Sequence, residues 1–161
     1  MYGLDAEVIA QIKAPTRLVL TQKAWARIIE IVKQRYPIEA CGILAGKIEG
    51  DLAIVKEVRE LRNILASPTA FWFDVTEWMD AILAARRKGM SYIGVFHSHP
   101  RDEPSISLSD RQRMLECPGE VWLVVAYTPR CKPRLAAWVI RGYGLGIARV
   151  KVEVAKSRSG P

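Results

Sequence analysis

Apolar residues recur along the first third of the chain at spacings that predict a strand followed by a helix. The run from Thr16 to Leu20 is predicted to be a strand. Thr21 is predicted to cap a helix that ends near Arg35, and Pro37 is expected to stop it, since proline interrupts helical hydrogen bonding. The apolar positions of this helix form one stripe: Trp25, Ile28, Ile29, Val32 and Tyr36.

The next segment predicts a pair of strands and a second helix. Small apolar residues from Ala40 to Gly46 indicate a buried strand, and Gly50-Asp51 would turn the chain into another strand from Leu52 to Leu61. Asp74 and Glu77 are then expected to start a helix in the manner of a capping box, with Gly89 as its end. Five apolar residues are expected to form its buried face: Val75, Trp78, Met79, Ile82 and Leu83.

The second half of the chain is predicted to be mostly β-structure around one short helix. Met90 to Phe96 indicates a buried strand, and Ser107 or Ser109 is expected to cap a helix that ends near Cys117. Three further β-segments are expected, with a proline-containing loop between the first two: Val121 to Tyr127, Leu135 to Arg141 and Leu145 to Val154. The order β-α-β-β-α-β-α-β-β-β predicts an α/β (α+β) fold with a mixed, largely antiparallel sheet flanked by helices.

The length of 161 residues fits one domain. We expect an N-terminal extension over residues 1–15, a single domain over 16–154 and a flexible tail over 155–161. The longest apolar run, Val121 to Tyr127, is too short to cross a membrane, and residues 1–15 lack the pattern of a secretory signal. Three cysteines without framework spacing indicate a reducing compartment, so a cytoplasmic location is expected.

The net charge of +7 changes this picture little. The densest basic clusters, Arg86 to Lys88 and Arg111 to Arg113, lie on predicted helices without interleaved aromatic residues. A solvated basic surface is therefore favoured over a nucleic-acid site, and an acidic protein partner is the next alternative.

Candidate chemistry centres on the two histidines of the chain, His97 and His99, with Asp110 eleven positions after the second. At the end of a strand, residues i and i+2 point to the same side, so both imidazoles can face one ion. Two histidines and one carboxylate are a ligand set that holds zinc and leaves one position open for water. Ser107 and Asp110 are equally typical of an ordinary helix cap, and only the combination with both histidines favours a metal site.

A hydrolytic metal site also needs a base that is not itself a ligand. Glu39 is the best candidate, because it lies at the mouth of an apolar strand where partial burial would raise its pKa. From its environment alone, Glu39 is more typical of an ordinary polar residue before a strand.

Together these residues resemble the motif of the JAMM (MPN-plus) metalloproteases. The motif comprises Glu39, then His97-Ser98-His99-Pro100, then Ser107 and Asp110, and the similarity spans about Thr16 to Ala137. The chain is most similar to the small stand-alone prokaryotic type, which resembles the proteasomal-lid deubiquitinase. The surrounding residues are similar as well: Ile38-Glu39-Ala40-Cys41-Gly42, Asn63, and Tyr92-Ile93-Gly94-Val95-Phe96.

The resemblance implies an MPN/cytidine-deaminase-like architecture and a role for each motif residue. One catalytic Zn²⁺ would be held by His97, His99 and Asp110. Glu39 would take a proton from the zinc-bound water and pass it to the leaving amine, and Ser107 would donate a hydrogen bond to the developing oxyanion. The implied activity is that of an isopeptidase, which cleaves ubiquitin or a ubiquitin-like modifier from lysine conjugates or precursors.

The resemblance also implies how a substrate would bind. The C-terminal tail of the modifier would add as a strand to an exposed edge, with Ala66 to Phe73 and Arg101 to Ile106 in the flanking places. Phe71, Trp72 and Phe73 could line such a groove, although aromatic residues just before a helix are more often core. Only Arg101 to Ser109 separates Pro100 from Asp110, which leaves no room for a second metal cluster, so strict linkage selectivity is not expected.

Four alternatives stay open at this point. Within the enzyme class, the chain could trim the C-terminus of a ubiquitin-fold sulfur-carrier protein. Outside it, the chain could be a cysteine hydrolase that uses Cys41, a non-catalytic MPN scaffold, or a relative of the DNA-repair-linked RadC proteins. RadC proteins usually have Asn where this chain has Ser98, so nucleic acid is not an expected partner. A membrane is not an expected partner either, because no apolar run is long enough to cross one. A homodimer or a larger complex is compatible with the sequence.

Overall fold

The computed structural model describes residues 14–141 and 146–156. The predicted extension and tail lie largely outside these ranges, so the predicted domain boundaries stay predictions. Within the described residues the order of elements is the predicted one. The strands are β1 (Arg17–Leu20), β2 (Cys41–Glu49), β3 (Leu52–Leu61), β4 (Ser91–His99), β5 (Val121–Thr128), β6 (Cys131–Arg141) and β7 (Gly146–Val154). The helices are α1 (Gln22–Arg35), α2 (Val75–Arg87) and α3 (Leu108–Met114).

The strands form a mixed sheet that closes into a barrel in the order β1-β3-β2-β4-β5-β6-β7. The β1–β3, β1–β7 and β4–β5 pairs are parallel, and the other four pairs are antiparallel. This arrangement confirms the predicted α/β class with a mixed, largely antiparallel sheet. Closure is an addition to the prediction, because it depends on the pairing of Arg17 with Lys151, two residues far apart in sequence.

Two glycines let the strands of the barrel approach one another closely. A Cβ at Gly46 would lie 1.9 Å from the carbonyl oxygen of Ile54, and one at Gly94 would lie 2.0 Å from that of Val121. The β2–β3 register also shifts between Ala45 and Gly46. Such irregularities bend and twist strands, which favours closure of the sheet.

The sheet is buried on both faces. Alternate residues of β5 enter two clusters, since Leu123 and Val125 pack with α1 whereas Trp122 packs beneath α2 and α3. Burial on both faces explains why β5 is a continuous apolar run rather than an alternating one. In α1 the predicted Thr21 cap is present, and Ile28 and Val32 are buried as expected.

The predicted face of α2 is partly wrong. Ile82 and Ala85 are buried, but Val75, Met79 and Leu83 are 61%, 42% and 38% exposed. Ile82 and Ala85, three residues apart, define the side of α2 that meets the sheet. Val75, Met79 and Leu83 are four residues apart and share a different side of the helix, which faces away from the sheet.

Three local predictions need smaller corrections. Asp74 caps α2, but Glu77 does not complete a capping box, because its carboxylate accepts a hydrogen bond from the Arg62 amide at 2.8 Å. The proline-containing loop after β5 is only a two-residue turn, and Pro133 lies inside β6. The last helix ends at Met114 rather than near Cys117. In the ranges the structure describes, no helix has the length and apolar character needed to cross a membrane.

Candidate active site

The two histidines lie at the carboxyl end of β4, where the strand passes between β2 and β5. Both side chains are buried and, being two residues apart on a strand, lie on one face. Their Nε2 atoms are 3.2 Å apart. The Oδ2 atom of Asp110 lies 3.1 Å from the Nε2 atom of His97 and 3.6 Å from that of His99. Three donor atoms from β4 and α3 therefore converge on one point.

These distances fit a small tetrahedral metal ion. Ligands about 2.0–2.1 Å from zinc sit roughly 3.3 Å from one another at tetrahedral angles. The three observed separations, from 3.1 to 3.6 Å, bracket that value. The donor set of two imidazole nitrogens and one carboxylate oxygen could therefore hold a metal ion.

The surroundings of each ring allow the form that binds a metal through Nε2. The Nδ1 atom of His99 lies 3.4 Å from the Glu103 carbonyl, and donating its hydrogen there leaves the lone pair on Nε2. The His97 ring stacks on Phe71 at 4.3 Å and meets the Trp122 ring edge-on. Burial lowers the pKa of His97, which keeps the ring neutral. Within the described chain, the Nδ1 atom of His97 is buried without a hydrogen-bond partner, so aromatic packing orients this ring.

The start of α3 is both a helix cap and part of the site. The hydroxyl of Ser107 accepts a hydrogen bond from the Asp110 amide at 3.0 Å, and Oδ2 of Asp110 accepts one from the Ser107 amide at 3.0 Å. Burial disfavours the charged carboxylate, but hydrogen bonds from His97, His99 and Ser107 hold the pKa of Asp110 well below its usual range. The capping interpretation and the metal interpretation are thus compatible, because one oxygen takes part in both.

Glu39 approaches the histidines from the β2 side of β4, because it lies just before β2. Its side chain is buried, and a carboxylate oxygen lies within 4.8 Å of ring nitrogens of His97 and His99. Burial, followed by the charge of Asp110, raises the pKa of Glu39 to about 8, whereas Arg101 lowers it. The arrangement brings all five residues singled out in the sequence to one end of the barrel.

Ser98, between the two histidines, has a structural role that the sequence analysis did not predict. Its hydroxyl accepts a hydrogen bond from the Ala40 amide at 2.8 Å, and its own amide donates to the Ala40 carbonyl at 2.9 Å. These bonds tie the histidine strand to the residue after Glu39. The clue in the sequence was its place between two residues of one strand face, which directs Ser98 to the opposite, buried face.

Asn63 is a second such contributor, noted in the sequence only as part of the resemblance. Its side-chain amide donates to the carbonyls of Glu39 and Ala70, and its side-chain oxygen accepts from the amides of Leu65 and Trp72. This single side chain therefore connects the candidate base to the loop that carries Phe71.

The aromatic residues expected to line a substrate groove are mostly buried. Phe71 and Phe73 are buried and Trp72 is partly buried beneath the guanidinium of Arg113, so these aromatic residues belong to the core. The described strands close into a barrel, but the short β1 pairs only with Leu52–Val55 of β3, so the expected strand addition stays a prediction. A cleft of about 550 Å³ opens beside Glu39, and its lining includes Arg35, Asn63 and Ala66.

Cys41 does not have the surroundings of a nucleophile. Its side chain is buried, and its thiol lies 3.5 Å from the Leu61 carbonyl. Burial, with smaller effects of nearby carboxylates, raises the pKa of the Cys41 thiol to about 12. A thiol that stays protonated at neutral pH is a poor nucleophile, so the geometry favours the metal site over a cysteine hydrolase.

Comparisons with known proteins agree with the fold. The family model described as prokaryotic homologs of the JAB domain matches residues 21–141. A solution structure of a protein from Desulfitobacterium hafniense superposes with a TM-score of 0.76 at 28% identity, over 88% of this chain and 95% of that one. A JAB1/MPN domain protein from Archaeoglobus fulgidus shares the fold, with a TM-score of 0.55 at 19% identity over 87% of this chain and 99% of its own.

Curated relatives include two desampylases and a probable protease. The desampylase of Pyrococcus furiosus is 32% identical over 76% of this chain and 81% of its own length. The desampylase of Haloferax volcanii is 35% identical over 55% of this chain and 62% of its own. A probable TtuB-protein conjugate cleaving protease of Thermus thermophilus is 36% identical over 40% of this chain and 41% of its own.

The fold, the donor set and these relatives define a hydrolase of the JAMM type, a class for which a metal is implied. Since the family model covers most of the chain, the protein belongs to the prokaryotic homologs of the JAB domain. The family resemblance and the fold expected from the sequence are thereby confirmed.

Proposed function

We propose that this protein is a zinc-dependent isopeptidase that releases a ubiquitin or ubiquitin-like modifier from lysine conjugates or from C-terminal precursors. The observation that carries the proposal is the convergence of two histidine nitrogens and the Asp110 oxygen, with the Glu39 carboxylate within 4.8 Å of the histidines. The names of the relatives, desampylase and TtuB-protein conjugate cleaving protease, support this class of substrate.

His97, His99 and Asp110 would hold the zinc ion, because their donor atoms have the spacing of tetrahedral ligands. Bound zinc supplies Lewis-acid chemistry, which lowers the pKa of a water molecule and polarises the scissile carbonyl. The aromatic contacts of His97 and the Glu103 carbonyl at His99 keep both rings oriented for this task.

Glu39 acts as the general base and then as the general acid. It accepts a proton as the water oxygen adds to the carbonyl carbon, and it returns that proton to the nitrogen as the C–N bond breaks. Its backbone is fixed on both sides, since its amide donates to the Ser67 carbonyl and its carbonyl accepts from Asn63. A carboxylate that is buried but not held by an ion pair can change its protonation state during the reaction.

Ser107 is placed to stabilise the negative charge that develops on the substrate oxygen. Its hydroxyl oxygen already accepts a hydrogen bond from the Asp110 amide, so its O–H group is left to donate. A donor held in place before the reaction stabilises an oxyanion without reorganisation. The helix cap therefore orients the donor that the reaction needs.

The substrate tail would lie between residues 66–73 and 101–106, beside the cleft that reaches Glu39. Backbone groups of these two segments would bind the tail as an added strand. The short connection between Pro100 and Asp110 supports a site without strict linkage selectivity. A cytoplasmic location stays a prediction.

A direct test uses TtuB, the protein named in the description of the Thermus relative, joined through its C-terminus to a lysine side chain. Zinc-loaded protein is expected to release free TtuB, and metal-free protein is expected to release none until zinc is restored. Release that continues unchanged after the metal is removed would contradict the proposal. Stoichiometric zinc without cleavage of this or other modifier conjugates would support the non-catalytic scaffold instead.

A further inference from the structure

The helix α3 carries part of the candidate site but has little of its own to hold it in place. It spans seven residues, Leu108–Met114, with Ser107 as its N-cap. Only Asp110 and Met114 of this helix are buried. Since a helix of two turns is marginal in isolation, the position of α3 depends on contacts with the rest of the molecule.

Arg113 provides one such contact. It lies three residues after Asp110 on α3, and its guanidinium carbon is 4.0 Å from the centre of the Trp72 ring. The other neighbour of this ring is Phe73, which stacks on it at 4.5 Å and is itself buried. A guanidinium over the face of an indole ring is attracted by the electrons of the ring. In the described part of the chain, no carboxylate forms an ion pair with Arg113.

Trp72 in turn belongs to the loop that holds the candidate base. Its amide donates to the side-chain oxygen of Asn63 at 3.3 Å, and its carbonyl accepts from the Ile64 amide at 2.9 Å. The side-chain amide of Asn63 donates to the Glu39 carbonyl at 2.9 Å. The ring beneath Arg113 is therefore two contacts away from Glu39.

Neighbouring residues of this loop contact both elements that carry the proposed metal ligands. Phe71 stacks on His97 of β4 at 4.3 Å, whereas Trp72 contacts Arg113 of α3. The loop between β3 and α2 thus joins the histidine strand, the base and the helix cap. A contact that joins these parts is suited to keep the reacting groups in register.

We propose that Arg113 and Trp72 form a positioning pair that fixes α3 relative to the loop between β3 and α2. Through this pair, Asp110 and Ser107 keep their places relative to Glu39. The inference rests on the proposed hydrolytic function and adds two residues that act through α3 rather than on the substrate. Loss of the contact displaces groups that act in the transition state, so it lowers kcat and leaves KM nearly unchanged.

The kinetic test uses the zinc-loaded protein and the TtuB–lysine conjugate. Arg113→Met removes the charge from a partly exposed side chain and is expected to lower kcat about tenfold, with KM within about twofold of the wild type. Arg113→Lys keeps a cation and is expected to lose no more than about twofold. Arg111→Met, at an exposed position of the same helix, is the matched control and should keep the wild-type kcat.

Hydrogen exchange of the metal-free protein provides a readout that does not depend on turnover. Amides of residues 111–115 are expected to exchange about fivefold faster in Arg113→Met than in the wild type, and at the wild-type rate in Arg111→Met. Trp72→Leu is expected to have the same effects on exchange and on kcat as Arg113→Met. The two changes combined should have no further effect, because both remove one contact.

Two results would overturn the inference and leave the proposed function intact. One is a loss of kcat from Arg113→Met that is as large in Trp72→Leu as in the wild type. The other, which does not depend on the folding of Trp72→Leu, is an equal kcat for Arg113→Met and Arg113→Lys. Failure of the zinc-loaded wild type to release TtuB would overturn the proposed function and the catalytic part of the inference, while unchanged exchange in Arg113→Met would overturn the anchoring of α3 by itself.

Discussion

One oxygen atom, Oδ2 of Asp110, takes part in both the helix cap and the proposed metal site. It accepts the hydrogen bond of the Ser107 amide and lies within 3.6 Å of both histidine nitrogens. A residue with two such contacts can be recognised in the sequence as a cap, and only its neighbours indicate the metal. This is why Asp110 alone predicts only a helix cap, whereas Asp110 with the histidine pair predicts a metal site.

Asp110→Asn should separate the two contacts. Asparagine keeps an oxygen that can accept from the Ser107 amide but loses the negative charge. Loss of a residue that only hydrogen-bonds to a metal ligand typically lowers metal affinity by roughly 10- to 100-fold, and Asp110→Asn is expected to lower zinc affinity by more than that. The metal-free variant should lose only about 1 kcal/mol of unfolding free energy or less. Zinc titration and thermal melting measure the two effects. Asp102→Asn, at an exposed position, is the matched control, and equal zinc affinities in the two variants would contradict the assignment.

Cysteine modification tests the alternative that Cys41 is a catalytic nucleophile. Cys131 is exposed, whereas Cys41 is buried and burial raises its pKa to about 12. Iodoacetamide at neutral pH should therefore modify Cys131 and leave Cys41 unmodified in the folded protein, with hydrolytic activity retained. Peptide mass spectrometry and the release assay report both outcomes. Alkylation of Cys41 that removes activity would instead favour a cysteine hydrolase.

At the level of elements, the sequence predicted type and order well because the deciding contacts are local. Thr21, Asp74 and Ser107 each cap a helix through the amide three residues further on, a pattern that is visible in the sequence. The orientation of α2 could not be predicted in the same way. Which side of a helix meets the sheet is decided by the sheet, so the apolar residues Val75, Met79 and Leu83 were misassigned.

The loop between β3 and α2 was also beyond prediction, since Asn63 organises it through groups far apart in the chain. Asn63→Asp keeps the accepting oxygen but removes the N–H donors to the Glu39 and Ala70 carbonyls. The variant is expected to lose about 1–3 kcal/mol of unfolding free energy, to exchange amide hydrogens of residues 64–72 faster and to turn over more slowly with zinc retained.

Hydrogen exchange with mass spectrometry measures the loop directly. Thr69→Ala, an exposed change in the same loop, is the control and should leave exchange near the wild-type rate. Unchanged exchange in Asn63→Asp would show that the loop is organised by other contacts.

At the level of the whole molecule, the β2–β4 and β4–β5 pairings bring distant parts of the chain to one end of the barrel. β4 supplies the histidines, the chain before β2 supplies Glu39, and α3 and its N-cap supply Asp110 and Ser107. Spacing in the sequence predicted the histidine pair and the cap. The approach of Glu39, 58 residues before His97, followed only from resemblance to a known family, because local patterns carry no information on β2–β4 pairing.

Gly94 tests the close contact between β4 and β5 in the barrel. A Cβ there would lie 2.0 Å from the Val121 carbonyl oxygen, which cannot move without disturbing the β4–β5 pairing. Gly94→Ala is expected to reduce the free energy of unfolding by more than about 2 kcal/mol. Gly146→Ala is the control, because a Cβ there meets nothing within 4 Å. Chemical denaturation that gives the same stability for both variants would contradict this account of the barrel.

The most direct test of the central claim compares the wild type with Glu39→Gln, both loaded with zinc, on the TtuB–lysine conjugate. Glutamine has nearly the same shape as glutamate but cannot accept and return the proton, and Glu39 is not among the three proposed zinc ligands. We predict full zinc occupancy in both proteins and a release rate for Glu39→Gln at least about a hundredfold below that of the wild type. A zinc-loaded Glu39→Gln protein that releases TtuB at the wild-type rate would contradict the proposed mechanism.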